Sequence, residues 1–276
     1  MYDQKKCSPI SKKTIKNNTS CLNKDLLLKL QKILDVKHSN NIKILYKNIS
    51  SEINKMSNCT TEVCWITIDK IINKLSKKDI GIFKNLFKPI MPKIWDNNKY
   101  EWLNTLDIEN VLNQYSNAHK DFYFYGAIPN DYDNKTVCNI YDLCNINIKK
   151  HIKDGIKKIG IVFNTDNSSK GGKHWICMYI DLIGNNYNSP GIYYFDSLGK
   201  KPQDNIKKLI NNIRSQKKLI YFYNDVKHQM KNSECGIYCI HFIIYMLNNG
   251  SFEKYISTKK SDKYIHKYRY FYFNKI

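Results

Sequence analysis

The segment from Gln229 to Leu247 constrains the fold of this chain more than any other. It follows a strand-like run, 218–224, and a short polar loop. Apolar residues then recur at helical spacing, at Ile237, Ile240, Ile244 and Leu247. The pattern predicts a buried helix whose first turn holds Cys235, where free backbone N–H groups and the helix dipole favour a thiolate over a thiol. The sequence therefore predicts a nucleophile at a junction between a loop and a helix.

Three residues near Cys235 suit it to attack on a carbonyl group. Gly236 removes the side chain next to the sulfur, so a substrate backbone can approach closely. Gln229 precedes Cys235 in the same loop, and its side-chain amide can donate a hydrogen bond to an oxyanion formed above the sulfur. Asn232 is a weaker alternative for the oxyanion role.

A thiol nucleophile needs a base and a group that orients the base. His174 opens the strand-like run 176–181, and Asp196 ends the next strand-like run. If these runs are neighbouring antiparallel strands, His174 lies beside Asp196. Two alternatives stay open. His228 is a rival base that is closer to Cys235 in sequence, and Asp196 can instead cap the turn that follows it.

These residues form a specific set in a fixed order: His174, Asp196, Gln229 and Cys235. With Trp175 directly after the histidine, the set resembles that of the adenain-like cysteine proteases, whose cellular members are the SUMO proteases. The resemblance implies an α+β fold with a papain-like core, in which a central mixed sheet packs against the catalytic helix. It also implies a thiol hydrolase with His174 as base, Asp196 as its orienting group and Gln229 as oxyanion donor, without a metal or organic cofactor.

The same resemblance implies a substrate groove for a Gly-Gly segment. A Trp-Leu-Asn element opens the predicted helix 105–115, so Trp102 and Asn104 are candidate groove residues. Trp175 resembles the tryptophan that covers the Gly-Gly tail in this family, and Gly236 leaves the sulfur accessible. A core tryptophan followed by an ordinary helix cap explains Trp102 and Asn104 equally well, and core packing explains Trp175.

Within the family, the overall likeness is to the polyprotein-processing protease of African swine fever virus and its relatives in giant DNA viruses. It implies a cysteine endopeptidase that cleaves viral structural polyprotein precursors after Gly-Gly during virion maturation. Such an enzyme would act in the viral factory of the host cytoplasm and in the virion. That viral enzyme has Asn where this chain has Asp196, which is closer to the SUMO-protease pattern. Deconjugation of SUMO or another ubiquitin-like protein is therefore the alternative.

Two other classes of protein stay open. Related bacterial acyltransferases use a similar set of His, acid and Cys, and a basic surface would suit such an enzyme. The second class is a binding module with an inactive protease-like fold, which its charge would deliver to DNA. A scaffold does not require a complete set of nucleophile, base, acid and oxyanion donor, which argues against the second class.

The 276 residues allow a helical N-terminal arm domain, 1–95, and a catalytic domain, 96–276. Residues 1–20 are polar and lysine-rich, which predicts a loosely attached arm. After a predicted N-cap at Asn23, three apolar stripes predict helices. The stripes are Leu26, Leu27, Leu30, Ile33 and Leu34; Ile42, Leu45, Ile49 and Ile53; and Trp65, Ile68, Ile71, Ile72 and Leu75. Two prolines within 88–93 mark the linker.

The formal charge of +21 has two explanations. Lys, Asn, Ile and Tyr are abundant throughout, which indicates a compositional bias. The alternative is non-specific contact with nucleic acid through the basic ends, because charge is densest in residues 1–80 and 254–276. The second segment mixes basic and aromatic residues, which suits a nucleic-acid groove or the packing of a C-terminal helix and strand. We favour packing for the aromatic residues.

The nine cysteines are an odd number without regular spacings, which predicts reduced thiols in a cytosol-like compartment. Cys59 and Cys64 have a poor spacing for zinc, so we expect two buried thiols and no metal site there. The first 20 residues contain no apolar segment, so no secretion signal is expected. No apolar stretch is long enough to predict a membrane span.

Overall fold

The computed structural model describes residues 6–14 and 20–275, and these residues divide into two compact units. The first unit runs to Pro92 and also contains the segment from Tyr270 onward, and the second comprises residues 93–269. The predicted boundary after residue 95 lies close to the observed one.

Assignment of the last residues to the catalytic domain is wrong, because Asn274 pairs with the first unit. Its N–H donates to Pro89 O at 2.8 Å, and its side-chain amide donates to Lys6 O at 2.9 Å.

The first unit is helical, as its apolar stripes predict. Its elements are α1 (Pro9–Thr14), α2 (Lys24–Leu34), α3 (Ile42–Met56), a 3-10 segment (Glu62–Thr67), α4 (Asp69–Ile72) and α5 (Lys77–Asn85). Asn23 caps α2 by accepting the N–H of Leu26 at 2.9 Å, and the α2 and α3 stripes are buried. The third stripe does not form one helix, because Ile68 adopts an extended conformation between the 3-10 segment and α4.

The predicted loose arm is partly wrong. Cys7 is buried, and the short helix α1 follows it. Ser8 N donates to Leu86 O at 2.9 Å, and Ser11 Oγ donates to the same carbonyl at 2.5 Å. These bonds attach the segment 6–14 to the rest of its unit. Residues 1–5 and 15–19 of the predicted arm lie outside the described residues.

Six cysteines are paired, which corrects the prediction of reduced thiols. The pairs are Cys7–Cys21, Cys59–Cys64 and Cys138–Cys144. Their Cα atoms lie 5.3, 5.8 and 5.6 Å apart, within the range that a disulfide spans. Proximity of this kind depends on how the backbone turns, which cysteine spacing alone does not reveal. Cys177, Cys235 and Cys239 are free and buried.

The second unit has an α+β fold built on a mixed five-stranded sheet, as predicted. The strands lie in chain order: β1 (Phe122–Ile128), β2 (Lys158–Asn164), β3 (Trp175–Asp181), β4 (Gly191–Phe195) and β5 (Ile220–Tyr223). The outer pairs β1–β2 and β4–β5 are parallel, and β2–β3 and β3–β4 are antiparallel. The predicted antiparallel pairing of β3 with β4 is therefore confirmed.

The second unit also contains helices, and one of them is the predicted buried helix. They are α6 (Thr105–Ala118), α7 (Lys135–Tyr141), α8 (Ile148–Lys153), α9 (Asp204–Gln216), α10 (Cys235–Leu247), α11 (Phe252–Ser257) and α12 (Asp262–His266). A last helix, α13 (Arg269–Tyr272), begins at the end of the second unit and continues in the first. Every residue of α10 except Tyr245 is buried, and the helix packs against β3. In the part of the chain that the structure describes, no helix is long and apolar enough to cross a membrane.

The aromatic C-terminal segment is used largely for packing. Tyr255 is buried, with its ring centroid 5.4 Å from that of Phe195 and 5.1 Å from that of Phe242. The segment forms the short helices α11, α12 and α13 where we predicted a helix and a strand. Tyr264 and Tyr270 remain exposed, and contact with nucleic acid stays a prediction.

Candidate active site

The ends of β3 and β4 bring His174 and Asp196 together. The strands pair with Cys177 opposite Phe195, so the residue before β3 and the residue after β4 lie at the same edge of the sheet. His174 Nε2 lies 2.7 Å from Asp196 Oδ1, which confirms the predicted adjacency. Because Nε2 faces the carboxylate, Nδ1 is the ring nitrogen left to exchange a proton with a thiol.

The turn after β4 fixes the Asp196 carboxylate. Leu198 N donates to Asp196 Oδ1 at 2.8 Å, and the Asn224 amide donates to the main-chain oxygen of Asp196 at 2.7 Å. Gly199 closes the turn with a φ of 71°, and a Cβ there would lie 2.9 Å from a backbone oxygen. Asp196 therefore both caps its turn and contacts His174, so the two roles considered for it coexist.

Cys235 is the first residue of α10, as predicted, and it is buried. Glu234 occupies the N-cap position without making a side-chain capping bond, so it does not compete for the N–H groups of the first helical turn. The Cys235 thiol is close enough to the His174 imidazole to contribute to the raised pKa of the ring. The fold thus assembles a candidate nucleophile, base and orienting acid from a helix and two strand ends.

The environment of His174 raises its pKa to about 9. Burial by itself lowers the pKa, because it disfavours the charged ring. Hydrogen bonds with Asp196 and Cys235, and the negative charge of these groups, outweigh burial. At neutral pH the ring is therefore an imidazolium, which stabilises a thiolate and can donate a proton to a leaving amine.

Gln229 is buried, and its amide is held at both ends. Ser197 Oγ donates to Gln229 Oε1 at 2.7 Å, and Gln229 Nε2 donates to Lys231 O at 2.5 Å. The main-chain oxygen of Ser197 also accepts the N–H of Gln229 at 2.9 Å. The bond to Lys231 uses one of the two Nε2 hydrogens and leaves the other for an oxyanion. Asn232, the weaker candidate, is exposed.

His228 is in the wrong place to act as the base. Its Nδ1 accepts the N–H of Lys260 at 3.2 Å, and its ring lies 5.7 Å from that of Phe195. Burial, followed by the charges of Lys260 and Lys259, lowers its pKa to about 4. His228 is therefore a neutral core histidine at physiological pH.

Trp102, Asn104 and Trp175 line one cavity of about 490 Å³, which we call the active-site groove. Trp102 is half-buried, so the alternative of a core tryptophan is wrong. Asn104 also caps α6 by accepting the N–H of Asp107 at 2.9 Å, so its predicted capping role is confirmed. Trp175 is buried, and its Nε1 donates to Leu103 O at 2.9 Å, which ties the two walls of the groove together.

Gly236 has a different role from the one expected. A Cβ at this position would lie 3.0 Å from Leu103 Cβ and 3.4 Å from Trp175 Cδ1. The missing side chain therefore lets α10 pack closely against the wall of the groove. The prediction that Gly236 leaves space for a substrate backbone is not supported, because Leu103 and Trp175 occupy that space.

Sequence reasoning missed two supports of the site. One is Ser197, which orients Gln229 from the turn after β4. The other is Glu234, whose buried carboxylate accepts bonds from Arg269 Nε at 2.9 Å and from His266 Nδ1 at 2.9 Å. Arg269 is fully buried and also donates to Ser233 O at 3.0 Å. The strings Asp-Ser-Leu and Glu-Cys-Gly contained the signal, but the distant partners were not visible in sequence.

Within residues 6–14 and 20–275, no group of three or more His, Cys, Asp and Glu side chains is arranged to hold a metal ion. A thiol at a helix start, an imidazolium paired with it and a carboxylate behind the imidazole are the arrangement of a cysteine peptidase.

The comparisons with known proteins agree with this class of site. Residues 143–272 match the model of the Ulp1 protease family, C-terminal catalytic domain. Over these residues the chain is similar to SUMO-protease-like thiol proteases.

Viral proteins are among its relatives. A protein of Acanthamoeba polyphaga mimivirus that is named as a thiol protease is 36% identical over 179 residues, which cover 63% of this chain. This chain spans only 57% of that protein's length. A cysteine protease of African swine fever virus is 24% identical over 273 residues, 92% of this chain and 91% of its own length. The crystal structure of the African swine fever virus protease covers 98% of this chain and 96% of its own, with a TM-score of 0.72 at 21% identity, so the two share a fold.

Proposed function

We propose that the chain is a cysteine endopeptidase that cleaves viral structural polyprotein precursors after Gly-Gly during virion maturation. The observation that carries the proposal is the His174–Asp196 pair beside Cys235, together with the held amide of Gln229. Its likeness to virus-encoded proteases over nearly the whole chain supports a viral substrate.

The confined space around Cys235 supports the choice of Gly-Gly. The residue is only 1% exposed, and the adjoining Gly236 lies against Leu103 and Trp175. The bond from Trp175 Nε1 to Leu103 O restricts entry further. Residues without side chains would fit such a confined passage with the least displacement of the surrounding groups.

The mechanism follows from the positions of the protons. His174 holds the proton taken from Cys235 and so keeps the sulfur as a thiolate, while Asp196 fixes the ring. The thiolate attacks the scissile carbonyl, and the free Nε2 hydrogen of Gln229 and the backbone N–H of Cys235 stabilise the oxyanion. His174 Nδ1 then protonates the leaving amine as the carbon–nitrogen bond breaks. Water, deprotonated by the now neutral His174, attacks the thioester and releases the acid.

Cleavage of ubiquitin-like proteins is the second candidate. One homologue from African swine fever virus carries the name SUMO-1 cysteine protease and is 24% identical over 273 residues. Asp196 fits the SUMO-protease pattern better than the Asn expected from the viral resemblance. Both candidates use the same chemistry and differ in whether the substrate is a short site in a polyprotein or a folded domain with a Gly-Gly tail.

We propose that the enzyme acts in the viral factory of the host cytoplasm and in the virion, because a maturation protease must meet its structural precursors there. Detection of the chain inside purified, protease-treated particles tests this location.

Contact of the basic ends with nucleic acid is a separate prediction. Salt-dependent retention of the Cys235→Ala variant on DNA would test it independently of cleavage.

The function is tested by a paired cleavage assay with two substrates. One is a precursor fragment with an internal Gly-Gly-X site, and the other is a SUMO fusion that is cut after its own Gly-Gly. We expect the wild type to cut the precursor fragment, and Cys235→Ala to cut neither. Cys239→Ala is the matched control, because Cys239 lies in the same helix and is also buried. Cleavage of the SUMO fusion alone would contradict polyprotein processing and select deconjugation.

A further inference from the structure

The active-site groove has two neighbouring cavities in the second unit. It shares Glu101 and Trp102 with a cavity of about 440 Å³, here called the middle cavity. The middle cavity shares Tyr100, Lys231 and Ser233 with a third cavity of about 630 Å³, here called the lysine cavity. The lysine cavity is therefore separated from the active-site groove by one intervening cavity, with wall residues in common at each step.

The lysine cavity is positively charged. Lys231, Lys259 and Lys263 line it, and all three are exposed. Within the described residues, none of these three lysines forms an ion pair. Lys231 Nζ lies 5.8 Å from the ring centroid of Tyr100, on the wall shared with the middle cavity. Three ammonium groups therefore surround a space that could accept negative charge.

The two carboxylates of the lysine cavity already have other partners. Glu234 is buried and paired with Arg269. Asp262 Oδ2 accepts the N–H of Met230 at 3.0 Å and that of Lys231 at 2.8 Å, and its Oδ1 accepts the Tyr238 hydroxyl at 3.2 Å. Both carboxylates are therefore committed to partners within the protein. Three lysines then outweigh the single charge of Asp262.

The same bonds connect the lysine cavity to the catalytic loop. Asp262 holds the loop through the N–H groups of Met230 and Lys231, and the Tyr238 hydroxyl in turn holds Asp262. The Lys231 carbonyl accepts the Gln229 amide at 2.5 Å. One wall of the cavity is therefore preformed and lies next to the oxyanion donor. A preformed charged cavity binds with little cost of ordering.

We propose that the lysine cavity binds acidic side chains in the substrate segment that flanks the scissile bond. The proposal rests on the proposed peptidase function and names a feature of its substrates: a Gly-Gly site with a nearby acidic run. The cavity is lined by His228 and Met230, which flank Gln229, and this position beside the oxyanion donor selects the substrate as the occupant. Charge complementarity selects acidic residues within the substrate. The high net charge of the chain does not by itself explain why three lysines without ion pairs line a cavity at the catalytic loop.

The test uses matched peptides that contain one Gly-Gly-X site. Two peptides carry three Glu residues, one before the site and the other after it. Two matched peptides carry Gln in place of Glu at the same positions. We expect the wild type to cut the Glu peptide about fivefold faster in kcat/KM than its Gln match for one of the two placements, as two or three exposed ion pairs allow. This preference should shrink as salt is added, because salt screens exposed charges.

Charge reversal identifies the residues responsible. In the double variant Lys259→Glu and Lys263→Glu, the ratio of Glu to Gln cleavage should fall to one or below. The control is Lys208→Glu with Lys218→Glu, which makes the same change of charge at exposed residues outside the three cavities and should keep the wild-type ratio. Equal cleavage of Glu and Gln peptides by the wild type at both placements would overturn the proposal, as would a ratio unchanged by reversal.

A binding measurement separates this proposal from the peptidase function. Fluorescence anisotropy of the labelled Glu and Gln peptides with the Cys235→Ala variant requires no cleavage. Tighter binding of a Glu peptide, lost on reversal at Lys259 and Lys263, would support the lysine cavity even if no peptide were cut. Cleavage of all peptides with equal affinities would leave the peptidase standing and reject the acidic preference.

Discussion

The surroundings of two histidines of the second unit, the largely buried His174 and the fully buried His228, shift their pKa values in opposite directions. The pKa of His174 rises to about 9, and that of His228 falls to about 4. Burial lowers the pKa of both rings, so burial does not explain the difference. His174 faces Asp196 and the Cys235 thiol, whereas His228 faces a backbone N–H and lies near lysines. The identity of the neighbours makes one ring a candidate acid–base group and the other a neutral part of the core.

Replacing each histidine with Gln gives the strongest test of the difference between His174 and His228. His174→Gln should lower kcat/KM by on the order of 10³-fold, because proton transfer to the leaving amine and stabilisation of the thiolate are both lost. His228→Gln should keep activity within a few-fold of wild type. Steady-state cleavage measured beside thermal unfolding would check both variants. A folded His228→Gln protein without activity would contradict the division of roles.

The loop that contains His228 should still contribute to catalysis through its neighbour Gln229. Gln229→Ala should lower kcat by on the order of 10²-fold with little change in KM, because an oxyanion donor acts in the transition state. Ser197→Ala should lower kcat by about tenfold, since the amide loses the hydrogen bond that orients it.

A double-mutant cycle shows whether Ser197 acts through Gln229. If it does, Ser197→Ala combined with Gln229→Ala is no slower than Gln229→Ala alone. If instead the two losses of kcat multiply in the double variant, Ser197 acts independently of Gln229, through the stability of the protein alone. Ser197→Thr retains the hydroxyl and is the conservative control.

The charge of Asp196 can be removed with little change of shape by Asp196→Asn. This change removes one cause of the raised pKa of His174, so the ring should lose its proton at a lower pH. We expect the alkaline limb of the kcat/KM profile to lie near pH 9 in the wild type and to move down by about one unit in the variant. An unmoved limb would show that Asp196 does not set the protonation of His174.

The smallest expected effect is on the pH dependence of stability. The unfolded chain takes up a proton at His228 near pH 6.5, whereas the folded chain does so only near pH 4. Stability is therefore lost as pH falls through this window. For His174 the sign is reversed: its contribution is complete below about pH 6.5 and is lost as pH rises toward 9.

Urea unfolding between pH 4 and pH 9 would measure both contributions. His228→Gln should reduce the acid loss of unfolding free energy by on the order of 1–3 kcal/mol, and His174→Gln should flatten only the alkaline side. Burial also lowers the pKa of His241, to about 3. Its contribution to the pH dependence of the unfolding free energy is the same in both variants, because neither variant changes it. An acid slope that is the same in the His228 variant would contradict the assignment.

Much of the second unit could be predicted because its signals are local. The apolar period of α10, the alternation of turn and strand around β3 and β4, and the order of His174, Asp196 and Cys235 all lie within short windows. The cysteine pairs were missed because pairing depends on chain reversal: Cys7 meets Cys21 across a separation of 14 residues. The third apolar stripe was read as one helix because periodicity does not report the extended residue Ile68.

The sequence by itself determined the candidate nucleophile, its place at the start of a helix and the two strand ends that supply its partners. Only the tertiary structure decided which histidine is the base, what Gly236 accommodates and how Gln229 is held. Each of these depends on groups that are distant in sequence: Ser197 lies 32 residues from Gln229, and Arg269 lies 35 from Glu234. Hydrogen bonds and pKa values are set by neighbours in space, and only the fold establishes which residues those are.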